Sequence, residues 1–190
     1  MDVTVASPKG GHAPLDPSSV EQSKSDEGAM AFLKNQAVVW EQTRPLAEFA
    51  GRAGDFDAIF FPGGHGPMFD LAADSGSQHL TAEFAAGGKV VAAVCHGPAA
   101  LLGVRGAGGK LLLEGKRVTG FSDAEEEASG YTKFMPFSLE TRLGEVSGGG
   151  FVKADESWGE KVVVDGQLIT GQNPASAKGV GEAILKAIGA

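Results

Sequence analysis

Apolar residues along this chain occur in two patterns: short unbroken runs, and stripes that return every three or four positions. The clearest run is "KVVAAV" (89–94), small and β-branched, as a strand covered on both faces requires. "DVTVAS" (2–7) alternates and predicts a strand, as does "KRVTGF" (116–121). "DAIFFPGGHGP" (57–67) predicts a buried strand running into a glycine-rich turn. "KVVVDGQLITG" (161–171) predicts a hairpin on Asp165–Gly166; neighbouring places in a larger sheet are the alternative for its two arms.

The helical stripes lie between these runs. Asp26 caps a helix through "GAMAFLKNQAV", which ends before a further helical turn starts at Thr43–Pro45. "DSGSQHLTAEFAAGG" reads as a helix stopped by Gly87 and Gly88. "HGPAALLG" turns from strand into helix, and "FSLETRLGEV" (137–146) is helical. In "NPASAKGVGEAILKAI", Asn173 is the cap and Pro174 takes the first helical position. Val180, Ile184, Leu185 and Ile188 then form one apolar stripe. "PKGGHAPLDPSS", with three prolines and two glycines in twelve residues, reads as loop.

Strands alternating with helices predict an α/β fold, a mainly parallel sheet with helices on both faces. Ligands in such sheets bind at the carboxyl ends of the strands. Glycine-rich turns mark two of those ends, Pro62–Pro67 and Cys95–Pro98. No linker or shift in composition divides residues 1–190, so a single domain is expected. A hydrophobic content of 42% indicates a globular protein. The net charge of −8 argues against nucleic acid or an anionic membrane as partner, and no apolar run approaches the roughly 20 residues of a membrane span. The opening "MDVTVASPKGG" lacks the basic and apolar regions of a signal peptide. A single cysteine leaves no internal disulfide, and four histidines without a CxxC leave no strong zinc pattern. A reducing, cytoplasmic compartment and no metal are therefore expected.

That cysteine carries the chemistry. In "KVVAAVCHGPAALLG" (89–103), Cys95 follows the central run, and Gly97–Pro98 lets the chain turn into a helix. A residue at such an elbow is lifted above the sheet in a strained conformation. The helix N-terminus offers free N–H groups and a partial positive charge, which favour thiolate. Cys95 is thus a candidate nucleophile, with the His96 amide, and the Gly64 amide of "FPGGHG", as oxyanion donors. A lone cysteine is otherwise a small core residue. His96 is the candidate base, against the alternative of a capping or surface imidazole. "GFSDAEEE" (120–127) brings four carboxylates; such a run is usually a solvated helix start, yet one of them can orient His96 in a Cys-His-acid triad. His65 follows the oxyanion glycine and can line a pocket. His12 reads as a solvated loop residue and His79 as a helix-surface residue. Trp40 and Trp158 read as core or pocket walls.

"ASPKGGHAPLDPSS", "FFPGGHGPMFDL", "AVCHGPAALL", "VTGFSDAEE" and "LITGQNPASA" stand in an order that resembles the ThiJ/PfpI superfamily, most closely its heat-shock-chaperone branch of glutathione-independent glyoxalases. The resemblance implies a flavodoxin-like three-layer sandwich, a homodimer, and conversion of a small reactive dicarbonyl, methylglyoxal, to D-lactate without metal or organic cofactor. It places the nucleophile on Cys95, the histidine on His96, the acid on Glu126, and the oxyanion amides on Gly64 and His96. It also implies a further N-terminal strand and helix bearing a glutamate that hydrogen-bonds the cysteine. This chain begins at what resembles the family's second strand, so the glutamate is expected to be missing and the activity weakened. A stress-response holdase or redox sensor is the second reading, and a cysteine peptidase or amidase the third.

Overall fold

A computed structural model describes residues 2–190. Backbone contacts cluster into two compact units, Met1–Ala50 and Gly51–Ala190.

The first unit holds β1 (Ala6–Ser7), α1 (Pro17–Gln22), α2 (Glu27–Asn35), α3 (Val38–Glu41) and β2 (Arg44–Pro45), followed by a 3₁₀ turn at Leu46–Phe49. The strand expected over 2–7 shrinks to β1, which pairs in parallel with β2. The Arg44 amide also donates to the Val5 carbonyl (3.0 Å), but residues 2–4 are exposed. A strand is stable only where a neighbour completes its ladder and covers a face. Within "PKGGHAPLDPSS", taken as loop, Asp16 caps α1 by accepting from the Ser18 amide, with Pro17 at its start. Proline at the first helical position is pre-organised for the helix rather than against it. Asp26 caps α2 as expected. Thr43–Pro45 is extended rather than helical: Thr43 bridges to Gly11, and the helical turn follows at Leu46.

The second unit contains β3 (Ala58–Phe61), α4 (Gly66–Phe69), α5 (Ser75–Ala86), β4 (Val90–Val94), α6 (Asp123–Ser129), α7 (Leu139–Ser147), β5 (Val162–Asp165), β6 (Leu168–Gly171) and α8 (Ala177–Ile188). Its sheet runs β3-β4-β6-β5, parallel except for the β5–β6 hairpin. This is an α/β fold of the flavodoxin-like class. β4 lies inside the sheet with every side chain buried, as its unbroken apolar run predicts. α5 packs on β3 and β4, and α8 on β4, β5 and β6.

Three expectations for this unit shift. β3 is an outer strand, so only Phe61 is buried and Phe60 is exposed. "KRVTGF" makes only an isolated bridge, Val118 to Phe151. Its next amide, from Thr119, donates to the Thr170 hydroxyl (3.0 Å) instead of a strand carbonyl. The hairpin turns on Gly166–Gln167, because Asp165 still pairs with Leu168.

Candidate active site

β4 delivers Cys95 at its carboxyl end. The residue has a φ of 62°, a left-handed conformation that non-glycine residues adopt at a cost of about 1–3 kcal/mol. Two bonds hold it there: its amide donates to Gly171 (2.9 Å), and its carbonyl accepts from Phe121 (2.9 Å). Two glycines make room. A Cβ on Gly63 would stand 2.6 Å from that of Cys95, and one on Gly97 would collide with the Phe61 carbonyl. The segment after the elbow is a 3₁₀ turn, Gly97–Leu101, rather than an α-helix.

The thiol therefore meets a smaller helix-end field than the sequence suggests. Burial pushes Cys95 up to about 11, against the opposing Gly64 and His96 amides, which hydrogen-bond the sulfur; the charges of Glu126 and Glu125 raise it further. The expected thiolate is thus a neutral thiol in the resting site. The two amides expected to hold an oxyanion do converge, on Sγ itself.

His96 lies beside it. Its Nδ1 is 3.4 Å from Cys95 Sγ, and its Nε2 is 2.6 Å from Glu126 Oε2. An ionised carboxylate only accepts, so Glu126 holds the proton on Nε2 and leaves Nδ1 free to accept from the thiol. Burial lowers the His96 pKa, although the Glu126 bond opposes this. Phe121 packs on the ring, centroids 4.4 Å apart. Among the described residues no carboxylate hydrogen-bonds Sγ; Cys95, His96 and Glu126 stand in line. The Glu126 side also faces a cavity of about 560 Å³, lined by Phe121, Thr132 and Met135 among others.

The acidic run starts α6, but it is solvated only in part: Asp123 and Glu127 are exposed. Glu125 and Glu126 are both buried. Ser122 and Glu125 form a capping box at the start of α6, a spacing legible in "SDAE". Glu125 goes further. Its Oε1 accepts from Gln172 (3.0 Å), Asn173 (2.9 Å) and the Trp158 amide (2.9 Å), and its Oε2 from the Ser122 amide (3.0 Å) and hydroxyl (2.7 Å). Burial alone would raise its pKa, but these donors, Asn173 and Ser122 foremost, outweigh it and hold the carboxyl below its usual value. Trp158, also at positive φ (65°), meets Phe121 edge-on at 5.5 Å; it is a half-exposed wall beside the site. His65 does more than line a pocket: its Nε2 is 3.1 Å from Glu126 Oε1, and its ring lies 4.3 Å from that of His96. His12 and His79 are exposed. Sequence reasoning missed the Glu125 network, because nothing local links residues 122–126 to 158 and 172–173.

The DJ-1/PfpI family profile matches residues 3–187. The chain belongs to the DJ-1/PfpI family. Its relatives narrow the branch. A probable glutathione-independent glyoxalase of Schizosaccharomyces pombe is 30% identical over 177 residues, covering 91% of this chain and 80% of its own. A glutathione-independent glyoxalase of Saccharomyces cerevisiae is 36% identical over 129 residues, 66% of this chain and 54% of its own, so the match spans about half of that relative. The crystal structure of glyoxalase III from Candida albicans superposes with a TM-score of 0.87 at 27% identity, covering 97% of this chain and 79% of that one. The elbow, the imidazole and the carboxylate described above thus sit in a DJ-1/PfpI fold of the glyoxalase type.

Proposed function

We propose that this DJ-1/PfpI protein is a glutathione-independent glyoxalase that converts methylglyoxal to D-lactate. The observation that carries the reading is the line Sγ–Nδ1–Nε2–Oε at a strained elbow. Cys95 Sγ attacks the aldehyde carbon while its proton passes to His96 Nδ1. The carbonyl pair becomes an oxyanion that the Gly64 and His96 amides receive, and protonation gives a hemithioacetal. His96 then removes the proton from that carbon, and a proton is delivered to the neighbouring one through an enediol. The first carbon is thereby oxidised to a thioester and the second reduced to an alcohol. Water cleaves the thioester, releasing D-lactate and restoring the thiol. The substrate's own carbonyls acidify the proton that moves.

The thiol's high pKa fits this order of events: the nucleophile is made during attack by a base with a defined tautomer, rather than stored as thiolate. The test is D-lactate formation from methylglyoxal without glutathione, by the wild type and by Cys95→Ala. Turnover by the wild type alone supports the reading; equal rates in the two proteins overturn it. No helix among the described residues is long and apolar enough to cross a membrane, and a cytoplasmic homodimer completes the proposal. Light scattering should return about twice the 19.4 kDa of one chain; that of one chain would refute the dimer.

A further inference from the structure

Glu126 is clamped from two sides. His96 Nε2 approaches one carboxylate oxygen at 2.6 Å and His65 Nε2 the other at 3.1 Å. One donor atom from each of the three residues lies within 4.8 Å of the others. Zn–N and Zn–O bonds of about 2.0–2.2 Å set the ligand atoms of a tetrahedral zinc roughly 3.3–3.5 Å apart. Both imidazole–carboxylate separations are shorter than that and the whole set lies within 4.8 Å, so the carboxylate moves outward to admit the ion. The donors come from three separately anchored places: the turn after β3, the elbow after β4, and the first turns of α6. His96 is almost wholly buried, while His65 is about a third exposed, which leaves a side for entry and for a water ligand. The donor set, two imidazoles and a carboxylate with an open position, is one that zinc accepts.

We propose that His65, His96 and Glu126 form a divalent-cation site of zinc type, and that its occupation switches the nucleophile off. The second half rests on the glyoxalase reading; the first does not. Metal on Nε2 displaces the proton that Glu126 holds there. The neutral ring must then carry its proton on Nδ1, the atom 3.4 Å from Cys95 Sγ. Nδ1 can no longer accept from the thiol, and Glu126 is drawn away from its orienting bond. The sulfur lies on the far side of the imidazole from the metal and is not a ligand.

Two titrations of metal-stripped protein test this. Co²⁺ is added while its visible d–d absorption is followed, and Zn²⁺ binding is measured by calorimetry, for the wild type, Cys95→Ala, His65→Ala and Glu126→Gln, each checked for folding by circular dichroism. Expected are one equivalent bound by the wild type and by Cys95→Ala, no sulfur-to-cobalt charge-transfer band, and affinity at least about tenfold weaker in His65→Ala and in Glu126→Gln. No binding by the wild type, wild-type affinity in both ligand variants, or loss of binding in Cys95→Ala overturns the site. D-lactate formation is then read with and without Zn²⁺. Inhibition that EDTA reverses, and that needs at least about tenfold more Zn²⁺ in His65→Ala relative to that variant's own metal-free rate, supports the switch. Zinc bound with turnover unchanged overturns the switch but not the site. A wild type that makes no D-lactate even when stripped fails the glyoxalase reading and takes the switch with it, while the titrations still decide the site.

Discussion

Cys95 shows how position and environment can pull a reactive group in opposite directions. The elbow gives it a strained backbone and two converging amides, and the amides favour charge on sulfur. Burial and two neighbouring carboxylates oppose them and win, leaving the thiol at about 11. The thiolate fraction therefore grows only as pH rises towards that value. In metal-free protein, iodoacetamide labelling of Cys95 should be slow at neutral pH, with a midpoint well above the free-thiol value of about 8.5; a midpoint at or below 8.5 would show that the elbow field dominates. A nucleophile of this kind depends on its base being in the right tautomer. Glu126→Gln replaces an obligate acceptor with a group that can also donate, so His96 loses its fixed Nε2 proton. We expect kcat for D-lactate formation to fall by about 10²–10⁴-fold, with Cys95 labelling at high pH intact. An unchanged kcat would remove Glu126 from the proposed mechanism.

Helix α6 owes its place to a side chain that never touches the thiol. Glu125 caps the helix, and it also ties in Trp158 and the Gln172–Asn173 segment that follows β6. Glu125→Gln keeps the shape but puts an amide where five donors converge, leaving some of them buried without an acceptor. The expected cost is about 2–4 kcal/mol, read as a lower melting temperature at neutral pH. Because the carboxyl of Glu125 is held below its usual value of 4.5, its stabilisation is fully present above that pH and is lost as pH falls through the folded-state value. The gap between wild type and variant should thus close on acidification below pH 4.5; a gap constant with pH would mean that the charge contributes nothing. The same helix marks the limit of sequence reading. The capping box of "SDAE" and the candidate acid at Glu126 are local patterns, visible in four or five residues. Burial of Glu125 is not, since it depends on donors more than thirty positions away. The runs likewise predict β4 and the β5–β6 hairpin, whereas "KRVTGF" has strand composition but spends its Thr119 amide on a threonine hydroxyl. Where a local pattern also found its long-range partner, the expectation held. Where the partner differed, the element changed.

Across the chain, every group of the proposed site falls within Gly51–Ala190: the elbow, the turn carrying Gly64 and His65, α6, and the Trp158 wall. This concentration separates the enzyme reading from the holdase reading. A holdase acts through exposed apolar surface, and the exposed aromatics of this unit, Phe60, Phe69, Phe134 and Trp158, are not among the groups bonded to the thiol. Removing the sulfur should therefore abolish one activity without touching the other. Cys95→Ala also places a smaller side chain at the strained position and keeps Gly63 and Gly97 in place, so the elbow retains its packing. The expected outcome is loss of D-lactate formation to the background rate, alongside an unchanged light-scattering trace when an aggregating client such as heated citrate synthase is mixed with wild type or variant. If the variant altered the scattering trace as well, both functions would depend on the sulfur. If the variant kept its turnover, Cys95 would not be the nucleophile, and its φ of 62° would be strain without a chemical use.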